Sequence, residues 1–181
     1  MVRVFHVKPF SEAVRACFKA AIAERVQWLV TIDADLLVVD SLSSILQRQA
    51  GEIQPDQWQA LGLMDCKLGG VRRGGVRLYR VAGLVDKLQA IDDKATRPES
   101  ELCKLFPQVR QFEEITAFHD YEQWLADLHR KGDAHRFKHS NWRKTGIISR
   151  WKEQADSDPD FKAALQGWRG KPLTMPEKPP L

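Results

Sequence analysis

The sequence predicts an α/β fold in which a mixed sheet is flanked by helices, with a helical extension at the C-terminus. The first observation is the order of elements at the start of the chain. Residues 3–7 alternate and are rich in Val and Phe, so they predict a strand. Residues 11–23 have helical spacing with Ser11 as N-cap, and Trp28–Ile32 follow as a strand. That strand is almost continuously apolar, which is typical of burial on both faces of a largely parallel sheet.

The middle of the chain predicts a β-hairpin between helices. The turn between the two hairpin strands is rich in Gly and Arg, and the last helix has an acidic first turn and is ended by Pro107. In order, the predicted elements are a helix capped by Ser41 and running through Leu46, strands at 61–64 and 75–81, and helices at 81–91 and 99–106.

The C-terminal third predicts helices. From Phe118 the apolar residues recur at helical spacing, and Asp120 with Gln123 resembles a capping box. Helix is expected to continue towards Trp151, and a short helix at 161–166 follows. The tail, 171–181, contains four prolines and is expected to be extended or disordered. The predicted domains are an α/β core at 1–118, a helical extension at 119–170 and the flexible tail at 171–181.

Composition excludes several classes of protein. With 181 residues and 43% hydrophobic content the chain can form one domain with a real core. No apolar run reaches 18 residues and no signal peptide is recognisable, so we expect a cytoplasmic protein without an integral membrane segment. The cysteines, Cys17, Cys66 and Cys103, are odd in number, widely spaced and lack a CxxC, so they indicate reduced, buried thiols and neither disulfides nor a zinc site.

The net charge of +4 is unevenly distributed. One basic cluster consists of Lys67, Arg72, Arg73, Arg77 and Arg80, and a second has eight Lys or Arg between Arg130 and Lys152. Partners or substrates that carry phosphate are therefore plausible. A nucleic-acid-binding module is a rival hypothesis, because aromatic residues interleave with the second cluster. The near-neutral remainder and the absence of a recognised motif argue against it, so we expect no nucleic-acid partner.

The carboxylate pair Asp33 and Asp35 is the main candidate for a functional centre. Both follow the strand Trp28–Ile32, and in open α/β sheets ligands bind beyond the carboxyl ends of the strands. Two carboxylates at i and i+2 suit a hard cation such as Mg²⁺ or Mn²⁺, which keeps positions open for phosphate. The alternative is a turn with two solvated aspartates, because Asp often begins turns.

The chain resembles family 2-type glycosyltransferases of the GT-A fold. The resemblance begins at residues 8–15 and at the strand that ends in Asp33-Ala34-Asp35. It extends to Gly74–Arg80, to Arg97–Ser100 and to the segment 118–124, so it covers roughly residues 5–140. It implies a GT-A-like core that binds a nucleotide-sugar donor through Mn²⁺ or Mg²⁺ and transfers the sugar to a hydroxyl acceptor.

The resemblance also implies roles for individual residues. Asp35 would be a direct metal ligand, and Asp33 would contact the ribose or the metal. Glu99 falls where family members place the general base that deprotonates the acceptor, with Glu101 as its close competitor. For Glu99 the competing interpretation is an acid that stabilises a helix N-terminus. His119, expected just before a helix start, is a candidate third metal ligand, although a lone histidine is more often structural.

Arg77 and Arg80 are candidates for gripping donor or acceptor phosphates, because guanidinium groups match phosphate oxygens. Arg72 and Arg73 share that potential, but a basic surface turn suits these two slightly better. Of the later histidines, His129, His135 and His139 are expected on the solvated face of a basic helix. No tryptophan is assigned to the site, because aromatic residues at helical spacing usually belong to the core.

The chain departs from the family pattern at its start. A complete GT-A domain opens with a strand and a loop that bind the nucleobase, whereas residues 3–7 look like the next strand. An inactive GT-A-like binding protein is therefore the principal alternative. A haloacid-dehalogenase-type phosphohydrolase with Asp33 as nucleophile is a further rival, but Leu37 does not fit that family. The sugar, the acceptor, the stereochemical outcome and whether the protein is a homo-oligomer are left open.

Overall fold

The structure is a computed structural model that describes residues 7–95, 97–137 and 146–176. The predicted α/β class is confirmed: a five-stranded mixed sheet is combined with helices. The strands are β1 (Trp28–Ile32), β2 (Leu36–Val38), β3 (Gln59–Cys66), β4 (Gly70–Arg80) and β5 (Val109–His119). The finer GT-A-like arrangement stays a prediction.

Seven α-helices lie within the described ranges. They are α1 (Phe10–Ala23), α2 (Leu42–Glu52), α3 (Leu84–Gln89), α4 (Pro98–Leu105), α5 (Leu125–Phe137), α6 (Ile147–Gln154) and α7 (Pro159–Trp168). A 3₁₀ turn, Val81–Gly83, leads into α3. None of the described helices is long and apolar enough to cross a membrane.

The strands follow the order β1-β4-β3-β5-β2, so among the residues that the structure describes β1 and β2 are the edges of the sheet. β1 is antiparallel to β4, with Thr31 opposite Arg77. β3 and β5 run in the same direction, because Trp58 N–H donates to Gln108 O (3.3 Å) and Lys67 N–H donates to His119 O (2.9 Å). The sheet is therefore mixed.

The prediction that Trp28–Ile32 is a strand buried on both faces of a largely parallel sheet is wrong in its second part. The strand exists, but its residues are half-buried, and Ile32 at its end is 46% exposed. An edge strand has one neighbour to cover it, and the one beside β1 is antiparallel. The apolar residues of β1 are therefore only partly buried on each face of the sheet.

Several predicted element starts also need correction. Ser11 is not an N-cap, because α1 begins at Phe10 after Pro9 and the Ser11 hydroxyl donates to the carbonyl of Asp93 (2.9 Å). The helix expected from Phe118 exists but begins only at Leu125, since Phe118 and His119 belong to β5. Asp120 therefore caps no helix there. The predicted strand at 3–7 lies, apart from Val7, outside the described residues.

Other predictions are confirmed with wider bounds. The hairpin strands expected at 61–64 and 75–81 are β3 and β4, which are neighbours in the sheet. The helix expected at 99–106 is α4. The short helix expected at 161–166 is α7, which begins at Pro159 with Asp158 as N-cap and continues through Gly167. The part of the tail that the structure describes, 171–176, is neither helix nor strand, and 177–181 lie outside it.

The chain divides into two compact units. The first comprises Met1–Met64 with Arg73–Ala117, and the second comprises Asp65–Arg72 with Phe118–Leu181. The end of the β3–β4 hairpin thus belongs with the C-terminal helices. The sequence had predicted an α/β core at 1–118, a helical extension at 119–170 and a tail at 171–181.

Each unit has its own core. In the first unit, Phe18 packs edge-on against Tyr79 at 5.1 Å between ring centroids, among the buried side chains of α1, α3 and α4. In the second unit, Trp151 is fully buried with Leu128 and Phe161, and its indole N–H donates to the carbonyl of Leu68 (2.8 Å).

Candidate functional site

Asp33 and Asp35 lie in the turn that joins β1 to β2, and both are exposed. The turn is attached to the neighbouring strand, because Asp33 N–H donates to the carbonyl of Gly75 at 2.9 Å. Gly75 has φ +79°, a left-handed conformation that favours glycine, and a Cβ there would also lie 2.6 Å from Leu36 Cδ1. The backbone of the carboxylate pair is thus tied to β4 at Asp33, and both side chains are exposed.

Arg77 connects two of the predicted site carboxylates within the first unit. Its Nη1 lies 2.7 Å from Glu99 Oε2 and 3.9 Å from Asp33 Oδ1. This follows from the strand register, because Arg77 lies opposite Thr31 and so next to the end of β1. Asp33, Arg77 and Glu99, predicted separately from the sequence, are thus neighbours in space.

Glu99 is buried, with 5% of its surface exposed. Both of its oxygens are bonded, since Tyr79 donates from its hydroxyl to Oε1 (2.7 Å) and Arg77 pairs with Oε2. Burial raises the pKa of Glu99, and Arg77 and Tyr79 lower that pKa only in part. Burial also raises the pKa of Tyr79, so the phenol keeps its proton and acts as the donor.

A cavity of about 200 Å³ adjoins this group. It is lined by Leu61, Arg73, Gly74, Arg77, Glu99, Ser100 and Cys103. Its volume is below the roughly 300–1,000 Å³ typical of sites for drug-sized ligands. It could accept a single sugar ring or a phosphate, but not an entire nucleotide sugar.

Two other predicted residues lie elsewhere. Arg80 donates to the carbonyls of Ile53 (2.6 Å) and Gln54 (3.1 Å), and its guanidinium lies 5.4 Å from the Trp28 ring. It is thus engaged with the end of α2. Glu101, the competitor of Glu99, is half-buried in the first turn of α4.

His119 belongs to a different group of side chains, within the second unit. Cys66, His119 and Asp120 each offer a ligand atom, and these atoms lie within 4.8 Å of one another. The distances are 2.9 Å from His119 Nδ1 to Asp120 Oδ2, 3.0 Å from Cys66 Sγ to that oxygen, and 3.4 Å from Cys66 Sγ to His119 Nδ1. These three residues, which we call the Cys-His-Asp triad, could hold a metal ion.

Two neighbouring groups contact the triad. Lys131 Nζ lies 2.5 Å from Asp120 Oδ1, and Gly69 N–H donates to the Cys66 sulfur at 3.1 Å. Burial raises the pKa of the Cys66 thiol to about 12. Burial alone would also raise the pKa of Asp120, but hydrogen bonds from His119, Cys66 and Lys131 outweigh it and hold that pKa well below its usual range.

His119 could be identified from the sequence, whereas Cys66, Asp120 and Lys131 were missed as members of a site. These three residues could be identified only from long-range contacts, because the triad needs the ends of β3 and β5 to lie side by side. Cys66 and His119 are 53 residues apart in the sequence. The cysteines are free thiols as predicted, but only Cys66 is fully buried, while Cys17 and Cys103 are half-buried.

Comparisons with known protein families, with curated proteins and with solved structures found no significant match.

Proposed function

We propose that this protein binds a nucleoside diphosphate sugar through a divalent cation at Asp33 and Asp35 and transfers the sugar to a hydroxyl acceptor. The observation that carries the proposal is the position of Arg77, which lies between Asp33 and the buried Glu99 beside a cavity. A cation site, an anion-binding guanidinium and a candidate base are then adjacent. Each of the three can assist sugar transfer from a diphosphate donor, the cation and the guanidinium at the leaving diphosphate and the base at the acceptor.

The donor chemistry of Asp33 and Asp35 fits Mg²⁺ or Mn²⁺. Both are exposed carboxylates on either side of Ala34, they offer only oxygen, and a diphosphate and water can complete the shell around them. When bound, the ion supplies Lewis-acid stabilisation of the charge that develops on the departing diphosphate. Arg77 would add a charge-assisted hydrogen bond to the same anion. The assignment of His119 to this ion stays a prediction.

Glu99 suits the role of general base. Its raised pKa brings it closer to neutral pH, where a base accepts a proton from a hydroxyl more effectively. Tyr79 and Arg77 orient its carboxylate, and the cavity beside it has room for one sugar ring or a small acceptor group. Glu99 would deprotonate the acceptor while Arg77 keeps the carboxylate in place.

The burial of Glu99 also favours a second candidate, a binding protein without turnover. A carboxylate that is 5% exposed and bonded at both oxygens resembles a structural ion pair as much as a base. In that case Asp33 and Asp35 would still bind the diphosphate through the cation. The two candidates differ only in chemistry at Glu99.

Calorimetry with UDP, GDP, ADP and CDP, each with and without Mn²⁺, tests the shared binding step. We expect one nucleotide to bind only with Mn²⁺, and Asp33→Asn and Asp35→Asn to abolish that binding. Asp86→Asn, an exposed carboxylate on α3, is the matched control and should bind as the wild type does. If no nucleotide binds in the presence of Mn²⁺, the proposal is wrong.

Turnover separates the two candidates. With the matching nucleotide sugar and a panel of hydroxyl acceptors, release of nucleoside diphosphate should fall by about 10²–10⁴-fold in Glu99→Gln while nucleotide binding persists. Nucleotide binding by the wild type without any release would establish the binding protein instead.

A further inference from the structure

We propose that Cys66, His119 and Asp120 form a zinc site with three protein ligands. This site uses thiolate, imidazole and carboxylate, whereas the proposed cation site at Asp33 and Asp35 uses oxygen alone. Ligand sets that include thiolate and imidazole favour Zn²⁺, whereas ligand sets of oxygen alone favour Mg²⁺ or Mn²⁺. The zinc proposal is therefore independent of the glycosyltransferase proposal except at His119, which it assigns to zinc in place of the ion at Asp33 and Asp35.

The three donor atoms are slightly closer together than the ligand atoms on one face of a zinc tetrahedron. Bond lengths of about 2.3 Å to sulfur and about 2.0–2.2 Å to nitrogen and oxygen place neighbouring ligand atoms roughly 3.3–3.6 Å apart. The triad has edges of 2.9, 3.0 and 3.4 Å. Outward shifts of a few tenths of an ångström would open it to receive the ion.

The fold holds the ligands in this arrangement. Cys66 is the last residue of β3 and His119 the last of β5, and the bond from Lys67 N–H to His119 O ties the two strand ends together at 2.9 Å. Asp120 follows in the left-handed region with φ +65°, a conformation unusual for a residue other than glycine. This conformation accompanies a carboxylate turned back towards Cys66 and His119.

The groups around the triad are arranged as outer ligands are in metal sites. Lys131 bonds Asp120 through Oδ1, which leaves Oδ2 directed at the other two donors. Gly69 N–H points at the sulfur and would stabilise a thiolate. Groups that hydrogen-bond to metal-binding side chains orient those side chains and tune their affinity for the metal.

The positive charge of Arg72 opposes the binding of a cation, since its Nη2 lies 3.4 Å from His119 Nδ1. Its side chain is on the exposed side of the contact and can turn to solvent when the ion enters. Cys66 and Asp120 are 0% and 3% exposed, whereas 12% of the His119 side chain is accessible. A water or another small ligand would take the fourth position on the side of His119.

Binding must displace the thiol proton of Cys66, because the thiolate is the ligand. The Zn–S bond forms as that proton passes to the buffer, and no oxidant or reductant is needed. The proton on Nδ1 of His119 moves through solvent to Nε2, so that the Nδ1 lone pair can bind the ion. The hydrogen bonds by which Cys66 and His119 now reach Asp120 are replaced by bonds to the ion. Zinc uptake should therefore release a proton that calorimetry in buffers of different ionisation enthalpy can count.

The test uses the full chain with any affinity tag removed, treated with EDTA and then exchanged into buffer without chelator. Titration with Co²⁺ should give the thiolate charge-transfer absorption and the visible bands of tetrahedral cobalt, at one ion per chain, and Zn²⁺ should abolish both. Cys66→Ser should remove the thiolate absorption and weaken Zn²⁺ binding by more than about 100-fold, the upper end of the losses seen for outer partners. Cys103→Ser, the matched control, should keep both signals.

Further variants secure the result. Lys131→Met should bind Zn²⁺ about 10-fold more weakly, as loss of an outer partner does. Asp33→Asn with Asp35→Asn should leave the cobalt spectrum unchanged, which separates this site from the proposed donor site. If Cys66→Ser does not fold, the wild-type spectrum decides alone. Absence of the thiolate absorption in the wild type, or its persistence in a folded Cys66→Ser, would overturn the proposal.

Discussion

Arg77 on β4 and Glu99 on α4 form a buried ion pair, 2.7 Å between Nη1 and Oε2, that ties the sheet of the first unit to a helix. Only 14% of the Arg77 side chain and 7% of the Glu99 side chain are exposed. The pair stands within reach of Asp33, so the same contact serves stability and the proposed site. Its removal should therefore affect both.

Replacing Arg77 alone should destabilise the protein strongly. Arg77→Met leaves the Glu99 carboxylate buried and uncompensated, and breaking a buried pair in this way costs about 3–5 kcal/mol. Urea unfolding followed by circular dichroism measures the loss. Arg48→Met is the control, because Arg48 is 48% exposed and pairs with Glu52 and Glu114 at the surface, so it should cost about 1 kcal/mol or less.

The double variant tests the cause of that loss. Arg77→Met combined with Glu99→Gln removes both charges, so part of the stability lost in Arg77→Met should return, with a coupling of about 0.5–3 kcal/mol. Additive losses in the double variant would show that the two charges do not depend on each other.

Titration of Glu99 should make the free energy of unfolding depend on pH. Because burial raises the pKa of Glu99 above its ordinary 4.5, the native state holds a proton that the unfolded state has already released. Protonated Glu99 then contributes most to the free energy of unfolding at low pH. This contribution is lost as pH rises from 4.5 through the pKa of Glu99 in the native state. The free energy of unfolding of wild type minus that of Glu99→Gln should therefore decrease with pH over this interval.

Urea midpoints of the two proteins between about pH 4 and pH 8 provide that difference. Asp120, with its lowered pKa, acts in the opposite direction, but it is present in both proteins and cancels. A difference that grows with pH would mean that the attraction of Arg77 outweighs burial and that the pKa of Glu99 is lowered.

The sequence was informative where contacts are local. Helix α1, strand β1 and the β3–β4 hairpin could be predicted because their periodicity and turn residues are contained in short segments. The proximity of Asp33 to Arg77 depends only on the pairing of β1 with β4. That pairing brings two of the predicted site residues together.

The sequence was uninformative where contacts are distant. Strand β5 was missed because Glu113 and Glu114 interrupt its alternation and because Phe118 continues a helical spacing into α5. β5 pairs on one side with β3 and on the other with β2, both far away in the chain. The Cys-His-Asp triad depends on that pairing, so it was hidden even though His119 was noticed.

Trp151 anchors the core of the second unit. It is fully buried, and Trp151→Phe would leave a void and remove the donor to the Leu68 carbonyl. We expect a loss of about 2–4 kcal/mol from the cavity and the unsatisfied carbonyl together. Trp124→Phe, at a side chain that is 44% exposed, should change the free energy of unfolding by about 0.5 kcal/mol or less. Equal losses in urea unfolding would contradict the structure.

Gly132 on α5 and Gly167 on α7 let these two helices touch through their backbones. A Cβ at Gly132 would collide with the carbonyl oxygen of Ala164, and one at Gly167 with the carbonyl oxygen of His129. In both cases the obstacle is backbone, so a change of rotamer cannot relieve it. The two helices must separate to accept either methyl group.

Gly132→Ala and Gly167→Ala should therefore each destabilise the protein by about 1–3 kcal/mol or more, as overpacking does. Gly51→Ala provides the opposite case, because Gly51 lies in α2 and an alanine methyl group there would meet no atom within 4 Å. At that position alanine should raise the free energy of unfolding by about 0.5–1 kcal/mol through its better helix propensity. Thermal unfolding of the three variants beside the wild type checks the order, and a stabilising Gly132→Ala would refute the close contact between α5 and α7.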